Sequence, residues 1–165
     1  MIIPRMGFLQ KAQTSSKPVL SIGLQAPLNL AFNASGNEQT LTLQQFIDEK
    51  KSIILVFYPM DNTPLCTAQL CKLRDEYQTV LSHNAVVLGV NPAGLESHKK
   101  FAEQHQYPFP ILVDENRQLA KALGVGDLFG VNNRTVVILD ATGKVAWFER
   151  GNPSVKNIMA NIPKP

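Results

Sequence analysis

The feature that most constrains the fold is a continuous apolar, β-branched run, Ser52-Ile53-Ile54-Leu55-Val56-Phe57-Tyr58, followed at once by a proline-punctuated turn and a helical pattern. A run of this kind is expected as a central strand covered on both faces. Pro59 and Pro64 bracket the turn and set φ at both of its ends. Beyond it, Cys66, Leu70, Leu73, Tyr77 and Val80 follow one another at spacings of four and three. That spacing predicts a single helix with one apolar stripe against the sheet and Lys72, Asp75 and Thr79 on the opposite side. The stripe begins with a cysteine, placed in the first turn of its helix.

The rest of the chain alternates in type around this unit. Leu28–Phe32 and Gln39–Leu43 alternate in polarity on either side of the turn cluster Ala34-Ser35-Gly36-Asn37, which predicts a small N-terminal β-hairpin. Thr42 is placed to cap a short helix running to about Glu49. Ala85–Val90 reads as a second buried strand, and Leu95 to about Gln106 as a helix with Leu95, Phe101 and Ala102 inward. Phe109–Val113 is a short strand, Asn116–Leu123 a helix stopped by Gly124, and Arg134–Leu139 a third strong strand. Asp140–Lys144 forms a turn, Val145–Glu149 pairs back, and a last helix occupies Ser154–Asn161. Strands alternating with helices and closing in a hairpin predict an α/β architecture with a mixed central sheet flanked by helices. Residues 1–17 hold Arg5, Lys11 and Lys17 but no acid, and are expected as a flexible arm; residues 18–165 are expected as one domain. An organellar targeting remnant is the alternative for the arm, with a cytoplasmic location otherwise expected.

Composition removes several classes of function. At 165 residues the chain can bury its own core without disulfides or a structural metal. Its net charge of +3 comes from Lys and Arg scattered among acids, not the clustered basic face of a nucleic-acid binder. No apolar run approaches a membrane span. Two cysteines make neither a secreted disulfide framework nor a zinc site, and His83, His98 and His105 supply no ligand spacing. His98 and His105, seven apart on a helix, are expected as partly exposed surface histidines.

The two cysteines carry the chemistry. A cysteine attacks as its thiolate, and orphan N–H groups and the helix dipole favour an anion in the first turn of a helix. Thr63, three residues before Cys66, can turn its hydroxyl to the sulfur or cap the turn; a cation from elsewhere would complete the site. The alternative is a buried, inert cysteine packing as a small hydrophobe. Cys71 lies five residues on, and positions i and i+5 of a helix are separated by about 8.7 Å between Cα atoms, from about 7.5 Å of rise and roughly 140° of rotation. That exceeds the ~7 Å limit for a disulfide. If Cys66 and Cys71 bridge, the helix between them has to unwind.

Pro59-xxx-Thr63-xx-Cys66 matches the PxxxTxxC signature of peroxiredoxins, and the longer run Phe57-Tyr58-Pro59-x-Asp61-Asn62-Thr63-Pro64-x-Cys66-Thr67-x-Gln69-x-Cys71 resembles the PrxQ, or bacterioferritin comigratory protein, subfamily. The resemblance extends from about Val19 to Trp147, through Gly89-Val90, Phe101-Ala102, Pro108-Phe109-Pro110 and Arg134-Thr135. It implies a thioredoxin-like fold and reduction of hydrogen peroxide and organic hydroperoxides without metal, haem or other cofactor. By position it makes Cys66 the peroxidatic cysteine, Thr63 its hydrogen-bonding partner, and Arg134 the stabiliser of thiolate and developing charge. Pro59 becomes the shield against water. Cys71 becomes the resolving cysteine, closing an intramolecular disulfide that thioredoxin or a similar dithiol reduces. Gln69 is expected to hold Arg134. Such proteins are often monomers, which is the expected state here, with a dimer as the alternative.

Two positions depart from the subfamily. Leu65 stands where Gly is usual, directly before the nucleophile, and Ala26-Pro27-Leu28 lacks the usual Asp-Phe after Ala-Pro. A disulfide reductase on the same fold is disfavoured by the missing CxxC. A non-catalytic holdase would have no need of the cysteines and Arg134, all of which are present.

Overall fold

The computed structural model describes residues 17–164. The expected N-terminal arm falls outside these residues except for Lys17. A helix, α1 (Leu43–Asp48), leads into strand β1 (Ser52–Phe57), then α2 (Pro64–Asp75), α3 (Tyr77–Ser82) and β2 (Ala85–Asn91). Next come α4 (Leu95–His105), β3 (Ile111–Val113), a 3-10 turn (Glu115–Arg117) and α5 (Gln118–Ala122). A two-residue ribbon, β4 (Asp127–Leu128) and β5 (Val131–Asn132), precedes β6 (Thr135–Leu139), β7 (Val145–Arg150) and α6 (Val155–Ala160). The main sheet has the order β3-β2-β1-β6-β7, as expected for a mixed sheet flanked by helices.

β1 is the middle strand of the five, and every one of its residues is buried. Its alternation sorts side chains into two cores. Ile53, Leu55 and Phe57 face the side that holds Phe32, Leu43, Leu119 and Leu123. Ile54, Val56 and Tyr58 face the side that holds Cys66, Leu70, Leu73, Val80 and Phe101. β2 runs parallel to β1 through the α2–α3 crossover, whereas β6 runs antiparallel to it. The C-terminal end of β1 therefore meets the start of β6, with Phe57 opposite Thr135. This pairing decides where the site can be.

Several local expectations are corrected. The N-terminal hairpin reduces to a single bridge, Phe32 with Leu41. The reason is competition: Ala34 bridges Leu112, the Val113 amide donates to the Asn33 carbonyl at 2.8 Å, and the Ile111 amide donates to Ser35 Oγ at 2.9 Å. The segment thus extends the β3 edge instead of doubling back. The stripe from Cys66 to Val80 spans two helices, broken at Glu76, whose φ of −103° and ψ of 14° leave the helical region. The break inserts no residue, so the apolar spacing reads through it, and Tyr77 beyond it packs on Phe109 at 5.5 Å between ring centroids.

The helix expected at Asn116–Leu123 begins only at Gln118, because Asn116 and Arg117 take positive φ of 53° and 55°. Arg117 is turned inward by this, donating to Asn132 Oδ1 and to the Val125 carbonyl, both at 2.7 Å. Asp114 caps α5, accepting from the amides of Leu119 and Ala120 at 2.8 and 3.0 Å. The β4–β5 ribbon was not anticipated; Phe129 and Gly130 at its tip have φ of 53° and 79°, the left-handed pair of a tight hairpin turn. On α4, Leu95 and Ala102 are half-buried and not fully inward.

Candidate active site

Thr63 is the N-cap of α2, Pro64 its first residue, and Cys66 lies in its first turn. Proline at the first helical position loses nothing, since its missing N–H would have no intrahelical partner. Asn62 supplies the positive φ of 63° that turns the chain into the helix. Leu65 fits ordinary helical backbone, and its side chain is 70% exposed, so its bulk points away from the sulfur's packing. Cys66 itself is 0% exposed.

Arg134 precedes β6, and the antiparallel pairing carries it to the end of β1 where α2 begins. Its Nη2 donates to Cys66 Sγ at 3.3 Å, and its Nη1 donates to Gln69 Oε1 at 2.7 Å. A guanidinium has donors only, so the bond fixes the orientation of the Gln69 amide. Gln69 is 2% exposed, and its Nε2 has no partner among the described residues. Cys66, Gln69 and Arg134 thus form one hydrogen-bonded group. Thr63 and Arg134 are half-buried, whereas Cys66 is buried. The Thr63 hydroxyl donates to the Met60 carbonyl at 3.2 Å, so of the two roles expected for it, the one seen is within the turn.

The turn itself is held from beneath. Asn91 Nδ2 donates to the carbonyls of Tyr58 and Pro59 at 2.9 and 3.1 Å, which keeps Pro59 half-buried beside the sheet end. Asp61, inside the turn, accepts from the Tyr58 hydroxyl and, at 2.7 Å, from Ser97 Oγ. Its Oδ2 also meets His98 Nδ1 at 2.7 Å. His98 is 0% exposed, which corrects the expectation of a surface histidine. Its Nε2 faces the Asn91 carbonyl at 3.0 Å, and a carbonyl only accepts, so that nitrogen carries a proton. Burial raises the Asp61 carboxyl, but hydrogen bonds from His98, Ser97 and Tyr58 outweigh it and leave the group below the usual carboxylate range. Sequence spacing had no signal for this clasp, because Asp61 and His98 are brought together only by α4 packing over the end of β1.

Cys71, half-buried, lies on the same unbroken helix as Cys66, and both are free thiols. Arg74 pairs with exposed Asp75 at 3.0 Å and also donates to the His105 carbonyl at 2.8 Å.

The sequence model of the AhpC/TSA family matches residues 22–148. The chain belongs to that family, among the peroxiredoxins. It is 36% identical over 133 residues to peroxiredoxin Bcp of Bacillus subtilis (strain 168), covering 76% of this chain and 82% of that protein. It is 39% identical over 111 residues to the chloroplastic peroxiredoxin Q of Triticum aestivum, covering 66% of this chain and 50% of that protein, so it spans about half the length of that relative. In fold, this peroxiredoxin resembles peroxidoxin BcpB of Mycobacterium tuberculosis, with a TM-score of 0.78, 23% identity, and coverage of 86% of this chain and 96% of that one. The fold is thioredoxin-like, as the resemblance implied. Among the described residues no helix is long and apolar enough to cross a membrane.

Proposed function

We propose that this chain is a thiol peroxidase in which Cys66 reduces hydrogen peroxide and organic hydroperoxides. The observation that carries the reading is the fork of Arg134, which holds Cys66 Sγ at 3.3 Å while Gln69 holds the guanidinium from the other side. A guanidinium is charged at every physiological pH, so it stabilises a thiolate and the negative charge growing on a departing oxygen. Hydroperoxide enters beside Thr63 and Arg134, and Pro59 keeps water from the sulfur. The thiolate attacks one oxygen of ROOH; the O–O bond breaks, ROH leaves after taking a proton, and Cys66 becomes a sulfenic acid. Cys71 then attacks that sulfur, giving the Cys66–Cys71 disulfide and water. A dithiol such as thioredoxin returns both thiols by exchange and is itself oxidised to a disulfide.

Residues 18–165 act as one domain, and an intramolecular resolving cysteine lets a monomer complete the cycle. The dithiol requirement suits a reducing compartment such as the cytoplasm. The test is mass spectrometry after one equivalent of peroxide, with Cys66→Ser and Cys71→Ser beside the parent. The parent should gain an internal disulfide with no intermolecular species. Cys66→Ser should lose turnover, and Cys71→Ser should still undergo the first oxidation but fail to cycle with thioredoxin. Turnover surviving in Cys66→Ser would sink the reading.

A further inference from the structure

The cycle above gives no role to the aromatic stack behind Cys71. Tyr107, in the loop between α4 and β3, is 8% exposed. Its ring lies between His105 and Phe109, with centroids at 5.6 and 5.4 Å, and Phe101 meets it edge-on at 5.2 Å. Its hydroxyl reaches α2. Tyr107 Oη donates to the Thr67 carbonyl at 3.3 Å and stands 3.6 Å from Cys71 Sγ. The carbonyl has no proton to give, so the phenolic hydrogen points at Thr67 and the oxygen lone pairs face the thiol, which donates to them. Burial, then the bond to Cys71, pushes the phenol far above its usual range, so this hydroxyl is neutral at any working pH.

Thr67 and Cys71 are also the two ends of one turn of α2, joined by the helical i to i+4 bond. Tyr107 therefore grips both ends of the turn that has to open before Cys71 can reach Cys66. Its stacked ring cannot follow them, because it is fixed to the sheet side by Phe109 and Phe101.

We propose that Tyr107 is a positioning residue for resolution, a latch that holds Cys71 in the helical state and so sets how long the Cys66 sulfenic acid persists. The proposal rests on the peroxidase reading. Two reactions compete for that sulfenic acid. In one, Cys66–SOH and Cys71–SH form the disulfide and release water. In the other, Cys66–SOH takes an oxygen from a second hydroperoxide, becoming the sulfinic acid and releasing ROH. The latch slows the first and leaves the second untouched, so it biases the chain toward sulfinic acid when hydroperoxide is abundant. Tyr107 neither gains nor loses a proton or electron over the cycle.

Tyr107→Phe keeps the stacked ring and deletes only the hydroxyl. After one equivalent of peroxide, disulfide formation should be about fivefold faster in Tyr107→Phe than in the parent, the factor one hydrogen bond of ordinary net strength supplies. The sulfinic fraction at excess peroxide should fall accordingly. In the reduced protein, without peroxide, the Cys71 amide should exchange faster with solvent in Tyr107→Phe. Tyr77→Phe, which alters another tyrosine of the same cluster, should change none of these. Unchanged or slower disulfide formation, unchanged Cys71 exchange, or an equal effect of Tyr77→Phe would each overturn the latch. A parent that forms no Cys66–Cys71 disulfide would overturn the peroxidase reading instead, and the exchange measurement would still judge the contact.

Discussion

His98 Nδ1 lies 2.7 Å from Asp61 Oδ2 in a pocket closed to solvent, and this pair joins helix α4 to the turn that leads to Cys66. A depressed carboxyl favours the folded state above its unfolded pKa of about 3.9, and that contribution is lost as pH falls through the lower folded value. Asp61→Asn should therefore cost about 2 to 4 kcal/mol near pH 7, measured by urea unfolding, with the gap from the parent narrowing below about pH 4. A gap that stays constant down to pH 3 would show that the carboxylate contributes nothing as an ion.

Arg134 makes two bonds with one planar group, which an ammonium cannot reproduce. Arg134→Met should slow the first oxidation of Cys66 about 100-fold, in the range seen when a charge-stabilising donor is removed from an active site. Arg134→Lys should fall between that variant and the parent. Stopped-flow fluorescence of the reduced protein with hydrogen peroxide gives these rates, and a lysine variant as fast as the parent would show that charge alone suffices.

Gln69 combines a bond to Arg134 with a buried Nε2 that has no partner among the described residues. Replacing it with leucine removes that uncompensated donor and frees the guanidinium. Gln69→Leu should leave stability within about 1 kcal/mol of the parent, because loss of the bond and relief of the buried amide offset each other. Oxidation of Cys66 should slow about tenfold as Arg134 loses its anchor. A variant with unchanged rate would remove Gln69 from the site.

The disulfide and the intact α2 exclude each other by geometry. Oxidation with one equivalent of peroxide should lower the helical signal in circular dichroism and release the amides of residues 66–71 to exchange. Reduction by a dithiol should restore both. Full protection in a chain shown to be disulfide-bonded would contradict the requirement for unwinding.

Away from the site, Gly124 has φ of +73°, and a Cβ there would stand 2.5 Å from both the Leu20 amide nitrogen and the Pro18 carbonyl oxygen. Gly124→Ala should cost about 2 kcal/mol or more in urea unfolding. A neutral result would mean that the segment at Pro18–Leu20 is free to move aside.

Local pattern was a good guide where structure is decided locally. The β1 run, the Thr42 cap, with the Thr42 amide donating to Gln45 Oε1 at 3.2 Å, and the last helix, expected at Ser154–Asn161 and found at Val155–Ala160, all follow from neighbours in sequence. Periodicity could not see the break at Glu76, since both halves keep the same spacing. It placed His98 on the surface because a helix of mixed polarity does not reveal that a carboxylate is waiting beneath it. Tyr107 drew no reading from the sequence, because what its hydroxyl meets lies on a different element.

By itself the sequence determined that a cysteine begins a helix after a buried strand, that a second cysteine follows five residues later, and that the two cannot join while the helix stands. Those are matters of chain geometry over a few residues. Only the tertiary structure decided what surrounds them. The antiparallel β6 delivers Arg134 to Cys66, α4 delivers His98 to Asp61, and the loop before β3 delivers Tyr107 to Cys71. Each of these contacts spans more than thirty residues. Sheet order and helix packing, not local propensity, set such distances.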